Sequence, residues 1–291
     1  MWKAVEMELR QHKSSFTVYV VLRALVILVM VRQIMNQNYE NVFLCILTLL
    51  LLFIPSFIQV NFKIELPTTL EIIVLLFIFC AEILGEINEF YIFIPFWDTI
   101  LHTLNGFLAA AIGFSMVMLL NDDERVAMKL SPFFLALVAF CFSMTIGVVW
   151  EFFECGMDVF FGLDMQKDTI IHSISSVTLD PAGGNRPYAI HDITSTVVNG
   201  QELGLGGYLD IGLLDTMEDL LVNFIGALVF SVIGFFYVKN RGKNRFASRF
   251  IPHKKRHEND YLAMIDDAFN EEQEKFGKKD APASSGELPA K

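Results

Sequence analysis

Six stretches of this sequence are apolar enough, and long enough at about 20 residues each, to cross the hydrocarbon core of a bilayer. They lie near Phe16–Met35, Val42–Val60, Thr69–Asn88, Thr99–Leu120, Pro132–Phe153 and Glu218–Val238. In lipid every backbone N–H and C=O must be satisfied within the chain, so each run is expected to be a helix. The content of 28 Phe and 54% hydrophobic residues in a chain of 291 points the same way. The first run is too long, and too poor in small residues at its end, to read as a cleaved signal peptide. The expected fold class is therefore an all-α polytopic membrane protein with about six transmembrane helices.

Lys and Arg in the short flanks set the orientation. Lys3, Arg10 and Lys13 precede the first run and Lys63 follows the second. Arg125 and Lys129 follow the fourth, and a basic stretch from Lys239 to Arg256 follows the last. The alternate segments, 36–41, 89–97 and 154–215, are poor in both residues. Both termini are thus expected in the cytoplasm, with the runs crossing the plasma membrane. The net charge of −11 then has a geography, with acid outside and base inside. Between Glu151 and Asp219 only Lys167 and Arg186 oppose the many acids. Such a surface repels nucleic acid and attracts cations.

Three regions follow: residues 1–15 as a cytoplasmic N-terminus, 16–238 as the membrane domain, and 239–291 as a tail, basic then acidic. Within the membrane domain, residues 155–214 are expected outside as a small cap. Its Ile170–Leu179 and Ile190–Val198 runs are β-like, and Val198-Asn199-Gly200-Gln201 is a tight-turn sequence, so the cap should contain a β-hairpin. Pro55 is expected to kink the second helix. Arg23, deep in the first run, needs a carboxylate or a carbonyl from a neighbour, whereas Arg32 can snorkel. The basic stretch offers contact with anionic lipid head groups, and residues 259–276 suit a short amphipathic helix using Leu262, Ile265 and Phe269. The end, 277–291, has the composition of a disordered segment. Cys45, Cys80, Cys141 and Cys155 show no metal-type pairing and read as small apolar residues.

Carboxylates gather at the ends of these runs. Glu82, Glu86 and Glu89 close the third, Asp98 and His102 open the fourth, Glu151 and Glu154 close the fifth, and Asp215, Glu218 and Asp219 open the sixth. Glu86 and Glu89 read as solvated bystanders. Asp98 and His102 are four apart and Glu151 and Glu154 three apart, so each pair shares a helix face. Asn105 and Gly106 continue the first face, and Asn223 and Gly226 continue the last, with glycines that allow close helix approach. Like charges crowded in low dielectric need protons or cations between them. Asp98, His102, Glu154 and Asp219 are the candidate metal ligands, and Glu151 and Asp215 the candidate catalytic carboxylates. Zn²⁺ or Mn²⁺ suits the mixed set, and Mg²⁺ or Ca²⁺ suits carboxylates alone. Against this stands the plain reading in which acids cap helix N-termini and hold a structural polar network.

The segment Trp97-Asp-Thr-Ile-Leu-His-Thr-Leu-Asn-Gly-Phe107 resembles the D-x-x-x-H-x-x-x-G-F pattern of YjdF-like bacterial membrane proteins. Trp150-Glu-Phe-Phe-Glu154 is similar to their E-x-x-E element, and Asp215-Thr-Met-Glu-Asp219 with Ile225-Gly-Ala227 to their D-T-x-x-D…I-G-A element. A looser likeness runs to VanZ-like glycopeptide-resistance proteins through Asp98, His102, Asp219, Asn223 and Gly226. The resemblance covers about Glu82 to Val238 and implies a polytopic membrane protein whose family has no settled activity. The long 164–212 segment departs from the compact pattern.

Three functions stay open. The first is a metal-dependent enzyme of the outer leaflet acting on a lipid or lipid-linked envelope precursor, with one carboxylate as general base. The second is a cation- or proton-coupled transporter, which the one-sided clustering and the lack of an inverted repeat disfavour. The third is a non-catalytic scaffold, envelope-stress or resistance protein.

Overall fold

In a computed structural model, residues 2–10, 13–61, 63–121, 130–242, 246–255, 260–265 and 267 are described. Arg125, Lys129, Arg256, Phe269 and the segment 277–291, on which expectations were placed, lie outside them. The chain divides into two compact units, residues 1–90 with 244–291, and residues 91–243.

Among the described residues, five helices are long and apolar enough to cross a membrane: Lys13–Met35, Tyr39–Asn61, Trp97–Asn121, Pro132–Phe161 and Leu213–Lys239. The third apolar run behaves differently. It forms an α-helix, Thr68–Phe79, that passes into a π-helical segment, Cys80–Ile87. π segments are uncommon and generally short, so a single regular helix over the whole run is not what forms here.

In the first unit α2 (Lys13–Met35), α3 (Tyr39–Leu51), α5 (Thr68–Phe79) and the π segment supply a core of Tyr19, Leu22, Val26, Cys45, Leu52, Leu75, Ile83 and Ile87, while α1 (Trp2–Leu9) and α4 (Ile54–Asn61) meet in a smaller cluster of Ala4, Val5 and Val60. The second run breaks at Leu52–Phe53, just before Pro55 at the second position of α4. Proline has no N–H to offer the carbonyl four residues back, which ends the regular ladder there. Arg23 resolves its burial through a carbonyl: Nη1 donates to Leu49 O at 3.4 Å and to Tyr19 Oη at 2.9 Å. Its guanidinium also lies 4.7 Å from the Phe53 ring centroid, a cation–π contact.

The basic stretch after the last helix folds back in its described part. His253–Lys254 (β8) pairs antiparallel with Ile64–Glu65 (β1). Lys255 donates to Glu8, with both side chains buried, and Lys63 pairs with Asp260 at 3.1 Å. Leu262 and Ile265 pack against Ala4, Val5 and Val60. Lys255 is thus committed to an internal pair and is not a lipid contact.

The second unit holds α6 from Tyr91 onward (Phe90–Phe93), α7 (Trp97–Asn121), α8 (Pro132–Phe161) and α9 (Leu213–Lys239). α7, α8 and α9 pack against one another as a three-helix bundle. Ser131 caps α8, its hydroxyl accepting from Phe134 N at 3.2 Å with Pro132 in the first turn. α8 runs on to Phe161 rather than ending near Phe153, stopping at Gly162 in the left-handed conformation. The expected 155–214 loop therefore begins at Gly162, because Val159, Phe160 and Phe161 prolong the apolar surface of the helix.

Between α8 and α9 the chain makes three antiparallel pairings: β2 (Ile170–Ile171) with β7 (Tyr208–Leu209), β3 (Ile174–Ser176) with β4 (Tyr188–Ile190), and β5 (Val197–Val198) with β6 (Gln201–Glu202). The last pair closes on Asn199 and Gly200, at φ 52° and 81°, the two positive dihedrals of a hairpin turn of the I′ kind. Asp180 organises the longer turn, accepting from Ala182 N, Gly184 N and Arg186 N. These backbone donors hold its carboxyl below the usual aspartate range.

Candidate functional site

The close approach of α7 and α9 begins with two glycines. A Cβ on Gly106 would stand 2.1 Å from Asn223 O, and one on Gly226 would stand 2.0 Å from Thr103 O. Only glycine lets the backbones meet at this distance. Ala109, Ala110, Ala111 and Ala227 are fully or almost fully buried.

α8 presents a matching stripe of Ala139, Ser143, Gly147, Glu151 and Glu154, all buried. The spacing of three and four follows the helical period, so the stripe faces α7 and α9 along its length. Ser143 Oγ donates to Gly106 O at 2.7 Å, and Asn105 Nδ2 to Asn223 Oδ1 at 3.4 Å. Asn223 Nδ2 reaches Ser143 O at 3.5 Å. This polar layer joins all three helices. Gly147 makes room for it, since a Cβ there would meet Asn223 Nδ2 at 2.7 Å.

Next to this layer lie the charged residues. His102 Nε2 stands 3.5 Å from Asp98 Oδ1 and 3.6 Å from Asp219 Oδ2, while Nδ1 is 3.9 Å from Glu151 Oε1. The imidazole thus sits among carboxylates from all three helices. His102, Glu151, Glu154 and Asp219 retain only 8%, 4%, 7% and 3% of their exposure. One ligand-type atom from each of these four lies within 4.8 Å of the others. Asp98, Asp215 and Asp219 form a second such group, in which Asp98 and Asp215 are half-buried.

The structure therefore brings together all six residues singled out in the sequence, but in different groupings. Glu151, expected as a catalytic carboxylate, stands with His102, Glu154 and Asp219. Asp98, expected among the metal ligands, shares its group with Asp215. Glu218 is exposed, and neither it nor Glu82, Glu86 or Glu89 belongs to either group.

Hydrogen bonding divides the cluster further. Glu154 Oε1 accepts the indole N–H of Trp150 at 2.8 Å, and Asp215 Oδ2 accepts Lys167 N at 2.8 Å. Glu151 Oε2 and Asp219 Oδ2 are buried with no hydrogen-bond partner. A buried carboxylate oxygen left in this state is costly unless a proton or a cation meets it.

The first residues after α8 return over the start of α9. Asp158 accepts from Met165 N at 2.6 Å and Gln166 N at 2.8 Å, turning the chain back. Gln166 Nε2 then donates to Thr216 Oγ1 at 2.5 Å. Asp210 accepts from Thr169 N and Leu214 N, fixing the approach into α9. Sequence reasoning missed Ser143, Gly147, Trp150, Gln166 and Thr216. The first three had a signal, because they extend or flank the Glu151–Glu154 stripe at helical spacing. Thr216 stood at the Thr of the D-T-x-x-D element, whereas Gln166 had no signal, since its pairing depends on how a loop folds back.

No curated protein and no solved structure matches the chain. The YjdF-like resemblance has a counterpart in a family model, whereas the VanZ likeness is not shown. That model, described as "Predicted membrane protein (DUF2238)", matches residues 17–240. It spans all of α7, α8 and α9, and the chain belongs to this family of predicted membrane proteins.

Proposed function

We propose that His102, Glu151, Glu154 and Asp219 hold a divalent cation, and that the protein is a metal-dependent enzyme acting on a lipid or lipid-linked envelope substrate. The observation that carries this reading is the pair of buried oxygens without hydrogen-bond partners, Glu151 Oε2 and Asp219 Oδ2, on two carboxylates that flank an imidazole. A nitrogen and three carboxylates form a donor set that suits Zn²⁺ or Mn²⁺. A cation there would offset the carboxylate repulsion and could polarise a substrate oxygen or activate water.

Metal analysis of the purified protein, with His102→Ala and Glu154→Gln beside it, tests the reading. Stoichiometric metal that is lost in both variants supports it. Metal-free wild-type protein with well-folded variants sinks it.

A non-catalytic scaffold is the second reading, favoured by the bonded Asn105–Asn223–Ser143 layer. Metal-free protein whose variants unfold would support that alternative.

The reading also carries an orientation, with both termini cytoplasmic and the paired-strand segment between α8 and α9 outside as a cap. Termini on one side require an even number of crossings. The five spanning helices must then be joined by a sixth crossing, formed by α5 with its π segment. Their combined run, residues 68–87, would reach roughly 30 Å at helical rise, about one hydrocarbon thickness.

A further inference from the structure

The geometry points to two adjacent cation positions that share Asp219. This rests on the cation reading above and extends it. Asp219 belongs to both ligand groups, has two oxygens to offer, and leaves Oδ2 without a hydrogen-bond partner in a side chain only 4% exposed. A carboxylate so placed is a natural bridge.

Charge supports the count. Five carboxylates, Asp98, Glu151, Glu154, Asp215 and Asp219, converge with one imidazole. The Lys167 ammonium pairs with Asp164 at 3.6 Å and also attracts Asp98 and Asp215, a single positive charge against the five. One divalent ion offsets two of the five carboxylates, and two ions offset four. Crowded acids in a low-dielectric bundle favour the second arrangement.

The two positions differ chemically. The first, buried and containing the His102 nitrogen, suits Zn²⁺ or Mn²⁺. The second consists of Asp98, Asp215 and Asp219, with two of its residues half-buried. An all-carboxylate, partly open site suits Mg²⁺ or Mn²⁺, which keep waters and complete their shells with phosphate oxygens of the substrate. The ligand class that follows is a phosphate-bearing lipid, whose oxygens would span both ions as in other two-metal sites. Asp98 and Asp215 are then ligands, and for Asp215 this replaces the catalytic role suggested by the sequence.

The test uses full-length protein stripped with chelator and reloaded with Mn²⁺, read by equilibrium dialysis and low-temperature electron paramagnetic resonance. Two equivalents with a spin-coupled signal are expected in the wild type. Asp215→Asn should keep one equivalent and lose the coupling, and that retained ion shows that the variant has folded. Inorganic phosphate should tighten the weaker equivalent; if it leaves both unchanged, the phosphate assignment falls. A single uncoupled equivalent in the wild type overturns the second position while leaving the one-cation reading standing. No bound Mn²⁺ overturns both.

Discussion

At the scale of single residues, the cluster makes a prediction whose sign depends on the cation. Asp219→Asn replaces a buried carboxylate, whose Oδ2 has no hydrogen-bond partner, with an amide that can donate to its acidic neighbours. In chelator the variant should be more stable than wild type, by about 1–3 kcal/mol on the usual cost of an unsatisfied buried group. With Mn²⁺ the order should reverse, because only the wild type gains ligand stabilisation. Thermal unfolding in detergent, with and without metal, reads both limbs, and a variant less stable under both conditions contradicts the argument. Asp180 supplies a pH prediction. Its carboxyl is held below the usual aspartate range by the N–H groups of Ala182, Arg186 and Gly184. A depressed folded-state pKa stabilises the turn above the unfolded value, and that stabilisation fades as pH falls through the folded one. Amide exchange at Ala182 and Gly184 should therefore accelerate in acid, and Asp180→Asn should weaken that pH dependence.

Among elements, the α7–α9 seam is the least forgiving part of the second unit. Gly106→Leu or Gly226→Leu would drive a side chain into the facing backbone, where a bare Cβ already lies 2.1 or 2.0 Å from a carbonyl oxygen. Overpacking costs about 1–3 kcal/mol in adaptable cores and more where backbone must move. Both variants should lose the monodisperse peak in fluorescence-detected size exclusion. Gly156→Ala on α8 should keep it, since its Cβ would meet only Phe160 Cδ2 at 3.9 Å. These helices were legible because apolar length is encoded locally; α7 and α9 start within a few residues of the expected boundaries. The same locality made His102, Glu151 and Glu154 readable as shared faces. Their regrouping was not readable, because it depends on which faces of three helices meet. The π segment also escaped, since hydropathy does not report hydrogen-bond register.

For the whole chain, the number of crossings follows from neither length nor hydropathy alone. Cysteines placed at Lys13, Ser175 and Arg241 in a cysteine-free background would report it through an impermeant maleimide. The proposed orientation predicts labelling at Ser175 in intact cells, and at Lys13 and Arg241 only after permeabilisation. If Lys13 and Arg241 report opposite sides, the number of crossings is odd, and α5 with its π segment does not cross. The first unit adds its own test, since Glu8→Gln would leave the buried Lys255 without its carboxylate. Removing one member of a buried pair typically costs about 3–5 kcal/mol. The unfolding midpoint should fall accordingly, and restore in part when Lys255→Met is added.

Trp150 also gives the protein an optical use. The chain contains three tryptophans. The Trp150 indole N–H is bonded to Glu154 Oε1, one of the oxygens available to a cation. An ion drawing on that oxygen would compete with the indole and change its emission. Ultraviolet fluorescence thus offers a label-free titration in detergent or vesicles before any substrate is known, and Trp150→Phe is its blank.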